Sequence, residues 1–287
     1  MTQCEQTEEL ASSLKEENMS TIGVIGVGEI ASAMVEGLST GTAATENGGG
    51  PETELRFVLS PRNAERARHL ADTIETAEVA ESNQEVVDRS DLIVLAVLPR
   101  QAAGVLGALD IPADKTLVSA VAGIPTDELS ALLPHDPDIV RIIPLPAVRE
   151  RKGVTAMFPA DGDVEALLDL LDLLGGSVTA ADETKFSTLS AVTATMSAHF
   201  AFLQTITAWL VDRGWDQADA DHFIRGQFVG LGTTLDQSEA PIADLVAAHE
   251  TPGGLNEQVN RDWMDDTNRA NLAAALDRVF IRVTGDA

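Results

Sequence analysis

Gly26, Gly28 and Ala31 stand in the spacing G-x-G-x-x-A within Thr21–Leu38, TIGVIGVGEIASAMVEGL. That spacing suits the binding of a diphosphate. Gly26 permits a sharp turn, Gly28 offers bare backbone to the phosphates, and small Ala31 lets the following helix lie close to a sheet. The N–H groups at the helix start, from Glu29 and Ile30 onward, would receive the anion. A glycine turn of this kind also occurs in α/β proteins that bind no nucleotide. Its context favours the binding role, with apolar strand Ile22–Ile25 directly before it and a helix over 29–38 directly after.

The end of the next strand carries the second piece of chemistry. An acidic residue there would hold a ribose 2′-OH and repel a 2′-phosphate, but Leu55–Leu59 runs into Ser60, Arg62 and Asn63. Hydroxyl, guanidinium and amide make a cradle for that phosphate, so NADP is the expected coenzyme; the alternative is that Arg62 only caps or solvates the helix after it. A third signal is TPGGLNEQ at 251–258. Pro252, Gly253 and Gly254 ahead of Leu255 expose backbone N–H groups at a helix start, a setting for a substrate carboxylate, or simply the beginning of a helix.

The elements that must position these residues alternate. Strands are expected at 22–25, 55–59, 79–80, 92–97, 116–121 and 139–143, separated by helices at 29–38, 64–73, 84–89, 101–109 and 126–133. Continuous apolar runs such as LIVLAV read as strands buried on both faces. The fold class is therefore α/β, a parallel sheet covered by helices, with a further helix at 164–174 and an edge strand at 177–180. Beyond Asp182 no strand is expected. Glu183–Arg213 reads as one long helix, apolar almost all round and so expected to be buried between subunits. Helices at 217–235, 242–248, 255–264 and 269–283 follow. The expected organisation is a disordered tail at 1–20, a nucleotide-binding domain at 21–181 and a helical domain at 182–287, with Ser39–Glu54 as a surface loop.

The 46 acidic and 19 basic residues give a net charge of −27, which argues against nucleic acid or an anionic membrane surface as partner. The lone cysteine, Cys4, allows no intrachain disulfide and agrees with a cytoplasmic location. No apolar run reaches the length of a membrane span, and the acidic first 20 residues do not read as a secretory signal. His69, His135, His222 and His249 lack metal-ligand spacing, so no metal is expected. The acidic run Asp212–Asp221 reads as a solvated face.

With GVIGVGEIASAM, SPRN, Asn83, LAVLP at 95–99, SAVAGIP at 119–125, IVRIIPLPAV at 139–148 and TPGG in the same order, the chain resembles the pyrroline-5-carboxylate reductases from about residue 21 to 280. The resemblance implies an N-terminal Rossmann domain, an all-helical C-terminal dimerisation domain and NADPH-dependent reduction of a cyclic imine. It places Asn83, Val97, Leu98, Pro99, Ala122 and Gly123, with Pro144, along the coenzyme. It also places Pro252, Gly253, Gly254, Leu255 and Asn256 on the substrate, whose carboxylate the loop backbone would hold.

The chain departs from the pattern near the substrate. Asn256 stands where the family has a Thr, Leu145 replaces an Asn and Leu98 a Lys. An amide binds a substrate but donates protons poorly. His199, held protonated by Glu257, is a candidate general acid; a buried structural histidine is the alternative reading. A β-hydroxyacid-dehydrogenase type would need a catalytic Lys with a nearby Asn, and Lys185 has no such neighbour. A deazaflavin-dependent NADP oxidoreductase and a non-catalytic NADP-binding sensor remain as further alternatives.

The predominance of acidic residues, with only four lysines, resembles proteins of a salt-rich cytoplasm; an ordinary acidic protein is the other reading. The Debye length shrinks from about 10 Å at 0.1 M salt to about 3 Å at 1 M, so molar KCl relieves the self-repulsion. Circular dichroism should show a cooperative melt in molar KCl and a loss of fold in low-salt buffer; equal melting in both would favour the ordinary acidic protein.

Overall fold

The structure, a computed structural model, describes residues 21–43, 55–159 and 164–285. The expected tail with Cys4 and most of the expected loop at 39–54 lie outside the described residues. The chain forms two compact units, Met1–Leu189 and Ser190–Ala287.

In the first unit strands and helices alternate: β1 (Thr21–Ile25), α1 (Glu29–Ala43), β2 (Arg56–Leu59), α2 (Ala64–Thr73), β3 (Ala77–Val79), α3 (Asn83–Asp88), β4 (Leu92–Leu95), α4 (Pro99–Leu106), β5 (Thr116–Ser119), α5 (Thr126–Ser130) and β6 (Asp138–Ile143). A 3₁₀ turn (Pro146–Glu150), β7 (Thr155–Phe158), α6 (Glu165–Leu173), β8 (Ser177–Thr179) and the part of α7 (Glu183–Thr193) up to Leu189 complete it. One sheet runs β3-β2-β1-β4-β5-β6-β7-β8. Its first six strands are parallel, with Val24 opposite Leu59 on one side and Val94 on the other.

Side-chain alternation explains the burial on both faces. Ile22, Val24, Leu92, Val94 and Val118 point into one core with α1 and α6. Ile25, Ile93, Leu95 and Leu117 point into the other with α3 and α4.

Four expectations are corrected. β7 was not anticipated, and it pairs antiparallel to β6, so the sheet is mixed. TAMF is too short to show a period, and what holds it in the sheet is pairing on both sides, Met157 with Ile142 and with Thr179. The first helix continues through Ser39 to Ala43, the hydroxyls of Ser39 and Thr40 bonding back to the carbonyl of Glu36.

The long helix from Glu183 is two helices, α7 and α8 (Thr195–Val211), with a turn at Ala194. Thr193 and Thr195 donate their hydroxyls to the carbonyls of Ser190 and Val192 at 2.8 Å each, and such local bonds compete with the helical ladder. Even so, Glu183–Val211 read end to end is 29 residues and contains an 18-residue window with a mean hydropathy of 1.2, long and apolar enough by length and composition for a membrane span. α7 packs within the first unit, because Phe186 is buried and Glu183 grips buried Arg141 on β6 at 2.5 Å.

The second unit consists of α8, α9 (Gln217–Gln237), α10 (Ile242–His249), α11 (Leu255–Trp263) and α12 (Asp266–Thr284). Phe202 of α8 stacks on Trp263 of α11 with ring centroids 4.9 Å apart. The acidic stretch between α8 and α9 is exposed, as expected, and its Asp216 caps α9.

At Gly37, α1 packs tightly against the 3₁₀ turn and the end of α6. A methyl group there would run into the backbone carbonyl of Val148 and lie 2.8 Å from Leu174 Cδ2. Alanine is the better helix former by about 1 kcal/mol, yet overpacking against rigid backbone costs about 1–3 kcal/mol or more. Gly37→Ala should therefore destabilise by roughly 1–2 kcal/mol in urea unfolding, and a stabilised variant would contradict this packing.

Candidate functional site

β1 lies between β2 and β4, so the chain leaves the sheet centre in opposite directions on its two sides and a crevice opens at the carboxyl ends of β1 and β4. The crevice holds about 540 Å³ and is lined by Gly26–Ala31, Arg62, Asn63, Ala96–Pro99, Gln101, Ala120 and Ala122.

The turn at its floor is forced by contact. Gly26 has φ +95°, and a Cβ there would sit 2.6 Å from the Ala96 carbonyl oxygen. At Gly28 a Cβ would meet nothing within 4 Å, so the backbone faces open space. The first bond of α1 runs from Ser32 N–H to Gly28 C=O at 3.0 Å, leaving the N–H groups of Glu29, Ile30 and Ala31 ahead of it without helical acceptors. The residues present therefore fit a dinucleotide diphosphate.

Of the residues expected on the coenzyme, Gly26, Gly28, Glu29, Ile30, Arg62, Asn63, Val97, Leu98, Pro99 and Ala122 line this crevice. Asn63 is fixed there by donating Nδ2 to the Val27 carbonyl at 2.8 Å. Arg62 is exposed and makes no ion pair among the described residues. Ser60 is placed differently. It is 1% exposed, and its Oγ accepts the Gly26 N–H at 2.9 Å, so it braces the glycine turn from behind instead of facing a phosphate. Asn83 begins α3 after the Ser82 cap and Gly123 follows β5 at φ +72°; neither lines the crevice.

Sequence reasoning missed Val27, Ala31, Ala96, Gln101 and Ala120 as lining residues. It also missed an ion-pair chain at the rim. Glu29 Oε2 receives Arg66 Nη1 at 2.5 Å and Oε1 receives Arg149 Nη2 at 2.8 Å, while Arg149 Nε turns to Glu36. Hydrogen bonds from Arg66 and then Arg149 hold the Glu29 carboxyl below the ordinary glutamate range, and the bonds to Glu36 and Glu29 push Arg149 further up. No local spacing announces these pairs, whose members lie 37 and 120 residues apart.

In the second unit the TPGG loop lies between α10 and α11. Gly254 N–H returns to Thr251 C=O at 2.7 Å, and Gly253 N–H is taken by Glu257 Oε2 at 2.5 Å. This corrects the pairing expected for Glu257, which serves the loop and not His199. Asn256 donates Nδ2 to the His249 carbonyl at 2.8 Å, and Pro252 and Leu255 are exposed. His199 is exposed too, against the alternative of a buried histidine, with Phe228 5.9 Å from its ring. Among the described residues no cluster could hold a metal ion.

Residues 21–123, the stretch that carries the open glycine turn, match the family model described as NADP oxidoreductase, coenzyme F420-dependent. The chain is 27% identical to the pyrroline-5-carboxylate reductase of Pseudomonas aeruginosa over 90% of this chain and 94% of that one. It is 28% identical to that of Haemophilus influenzae over 76% and 79%. The chain is thus similar, over most of its length and at modest identity, to pyrroline-5-carboxylate reductases. The solved structure of the Plasmodium falciparum pyrroline carboxylate reductase, with NADP bound, shares the fold at a TM-score of 0.72, with 18% identity over 94% of this chain and 98% of that one.

Ser60 provides the test of this geometry. Ser60→Ala would leave the half-buried Gly26 N–H without its acceptor, a cost of about 1 kcal/mol. Chemical denaturation should show that loss and calorimetry a weaker coenzyme titration; unchanged values in both would remove Ser60 from the turn's support.

Proposed function

We propose that the protein reduces a carbon–nitrogen double bond, in a cyclic imine or a related substrate bearing a carboxylate, with NADPH as the reductant. The observation that carries this reading is Arg62, an exposed guanidinium without an ion-pair partner among the described residues, on a coenzyme crevice whose second strand ends in no acidic residue. A 2′-phosphate satisfies that guanidinium, and a bare ribose does not. The NADP in the Plasmodium falciparum structure supports the same choice.

A nicotinamide bound in the crevice supplies the hydride. The chain's own residues do the rest. The glycine turn and the start of α1 hold the diphosphate, and Leu98 and Pro99 wall the nicotinamide. The TPGG loop, its glycine N–H groups held by Glu257 and Thr251, presents the N–H groups of Leu255 and Asn256 at the helix start to the substrate carboxylate. The proton is assigned to His199, whose ring can carry and release one, whereas the Asn256 amide donates hydrogen bonds but not protons.

We assign the protein to the cytoplasm and to a homodimer or larger homo-oligomer, without nucleic-acid or membrane partners. The apolar stretch Glu183–Val211 then meets a second copy and not lipid. The support is the exposure of large apolar side chains across the helical unit, Phe200, Phe223, Val229 and Leu255 among them, beyond what soluble monomers usually leave in water.

NADPH oxidation should be followed with pyrroline-5-carboxylate, a cyclic imine lacking the carboxylate, a keto acid and an oxidised deazaflavin. Turnover is expected with the first, weakly with the second and not with the others. Arg62→Asp should weaken NADPH about 10- to 100-fold and leave NADH nearly unchanged. Turnover of the deazaflavin alone, or tight NADPH binding with no turnover of any substrate, would replace this reading with the oxidoreductase or the sensor alternative.

A further inference from the structure

Arg62 is not the only guanidinium at the rim. Arg66 is the third residue of α2, the helix whose approach carries Arg62 and Asn63 into the crevice. Its Nη1 lies 2.5 Å from Oε2 of Glu29, itself a lining residue, so one carboxylate separates this charge from the coenzyme's place. The pair is open to solvent, with 45% of the Arg66 side chain and 55% of the Glu29 side chain exposed. An ion pair so exposed is weakly held.

Glu29 also has a second arginine. Its other oxygen stays on Arg149 at 2.8 Å, so Arg66 can leave without stranding a bare anion beside a diphosphate. A phosphate dianion offers a guanidinium more charge and a paired set of acceptor oxygens than a carboxylate already shared between two arginines.

We propose that Arg66 is a second ligand for the 2′-phosphate, stored on Glu29 until the coenzyme arrives, and that Glu29, as its competitor, sets the preference between NADPH and NADH. This rests on the reading of the crevice as an NADPH site. Glu29 stands in the glycine turn itself, and its carboxylate would otherwise only repel phosphates. Its pairing with Arg66 gives that unfavourable charge a function, because affinity for NADPH then depends on how firmly the stored arginine is held.

Calorimetric titration of the full chain with NADPH and NADH, at one fixed KCl concentration, tests the exchange. Arg66→Gln should lose about tenfold in NADPH affinity with NADH unchanged, and Arg66→Lys should keep part of the preference. Glu29→Gln should tighten NADPH several-fold and NADH much less. In the double variant the Glu29 substitution should have no further effect on the NADPH-to-NADH ratio, since no stored arginine remains to be released. Thermal melts of each variant check that it is folded.

Equal changes for both coenzymes would overturn the proposal, since plain repulsion of the diphosphate acts on both alike. So would additive effects on the ratio in the double variant. A wild-type chain that binds neither coenzyme would end the NADPH reading and this exchange with it. A wild-type preference for NADPH that Arg62→Asp removes and Arg66→Gln leaves intact would end the exchange alone.

Discussion

The structure depends on one crowded point, where the ends of β1, β2 and β4 meet behind Gly26. The Ala96 carbonyl stands where a Cβ of Gly26 would be, and the Ser60 hydroxyl takes the Gly26 N–H. Three strands distant in sequence thus fix one backbone turn. It is closed on its inner side and open on its outer side, where nothing approaches Gly28. A phosphate-binding turn needs both properties, since rigidity without access binds nothing and access without rigidity loses its affinity to ordering. A second crowded contact sets α1 against the 3₁₀ turn, where Gly37 meets the carbonyl of Val148.

The electrostatics of that point run against the charge of the whole. A net charge of −27 repels a phosphorylated coenzyme at long range, and Glu29 would do so at short range. Arg66 and Arg149, with Arg149 shared between Glu29 and Glu36, neutralise that local charge by gripping both oxygens of Glu29 from different elements. Screening by salt weakens the long-range field before it weakens contacts of 2.5–2.8 Å, so the local pairing prevails where the ionic strength is high.

The cofactor half was legible to the extent that its signals are local. The glycine turn, the two-faced strands and the helix starts each occupy a few consecutive residues whose types answer to a geometric demand. β7 escaped because four residues, TAMF, carry no period and gain their strand character from β6 and β8. The break at Ala194 was written in Thr193 and Thr195, whose hydroxyls compete for helix carbonyls, but their effect was outweighed by the apolar length around them. Ser60 was singled out for its hydroxyl, but not for the bond that this hydroxyl makes with the glycine turn. The acceptor role it plays links residues 34 apart, which no spacing in the chain reveals. The arginine pair on Glu29 was invisible for the same reason.

The two units differ in what each can settle on its own. The first buries both faces of its sheet and closes its turn with its own carbonyls and hydroxyls, so its geometry follows from a single chain. The second buries little: α10, α11 and α12 contain no buried residue, and Leu255, at the head of the loop assigned to substrate, is 82% exposed. Burial of apolar surface contributes about 25 cal/mol per Å², and helices that forgo it have little to hold them in one arrangement. On the proposed reading a second copy supplies what is missing, and the loop at Gly253 and Gly254 reaches its working form only in the assembly. Of the sequence departures, Leu98 lines the coenzyme crevice, while on the proposed reading Leu145 and Asn256 fall on the substrate side, where side chains and not backbone crowding choose the ligand. The coenzyme turn admits few alternatives because its contacts are atoms of the main chain, whereas a pocket built from exchangeable side chains can change its substrate with the turn left intact.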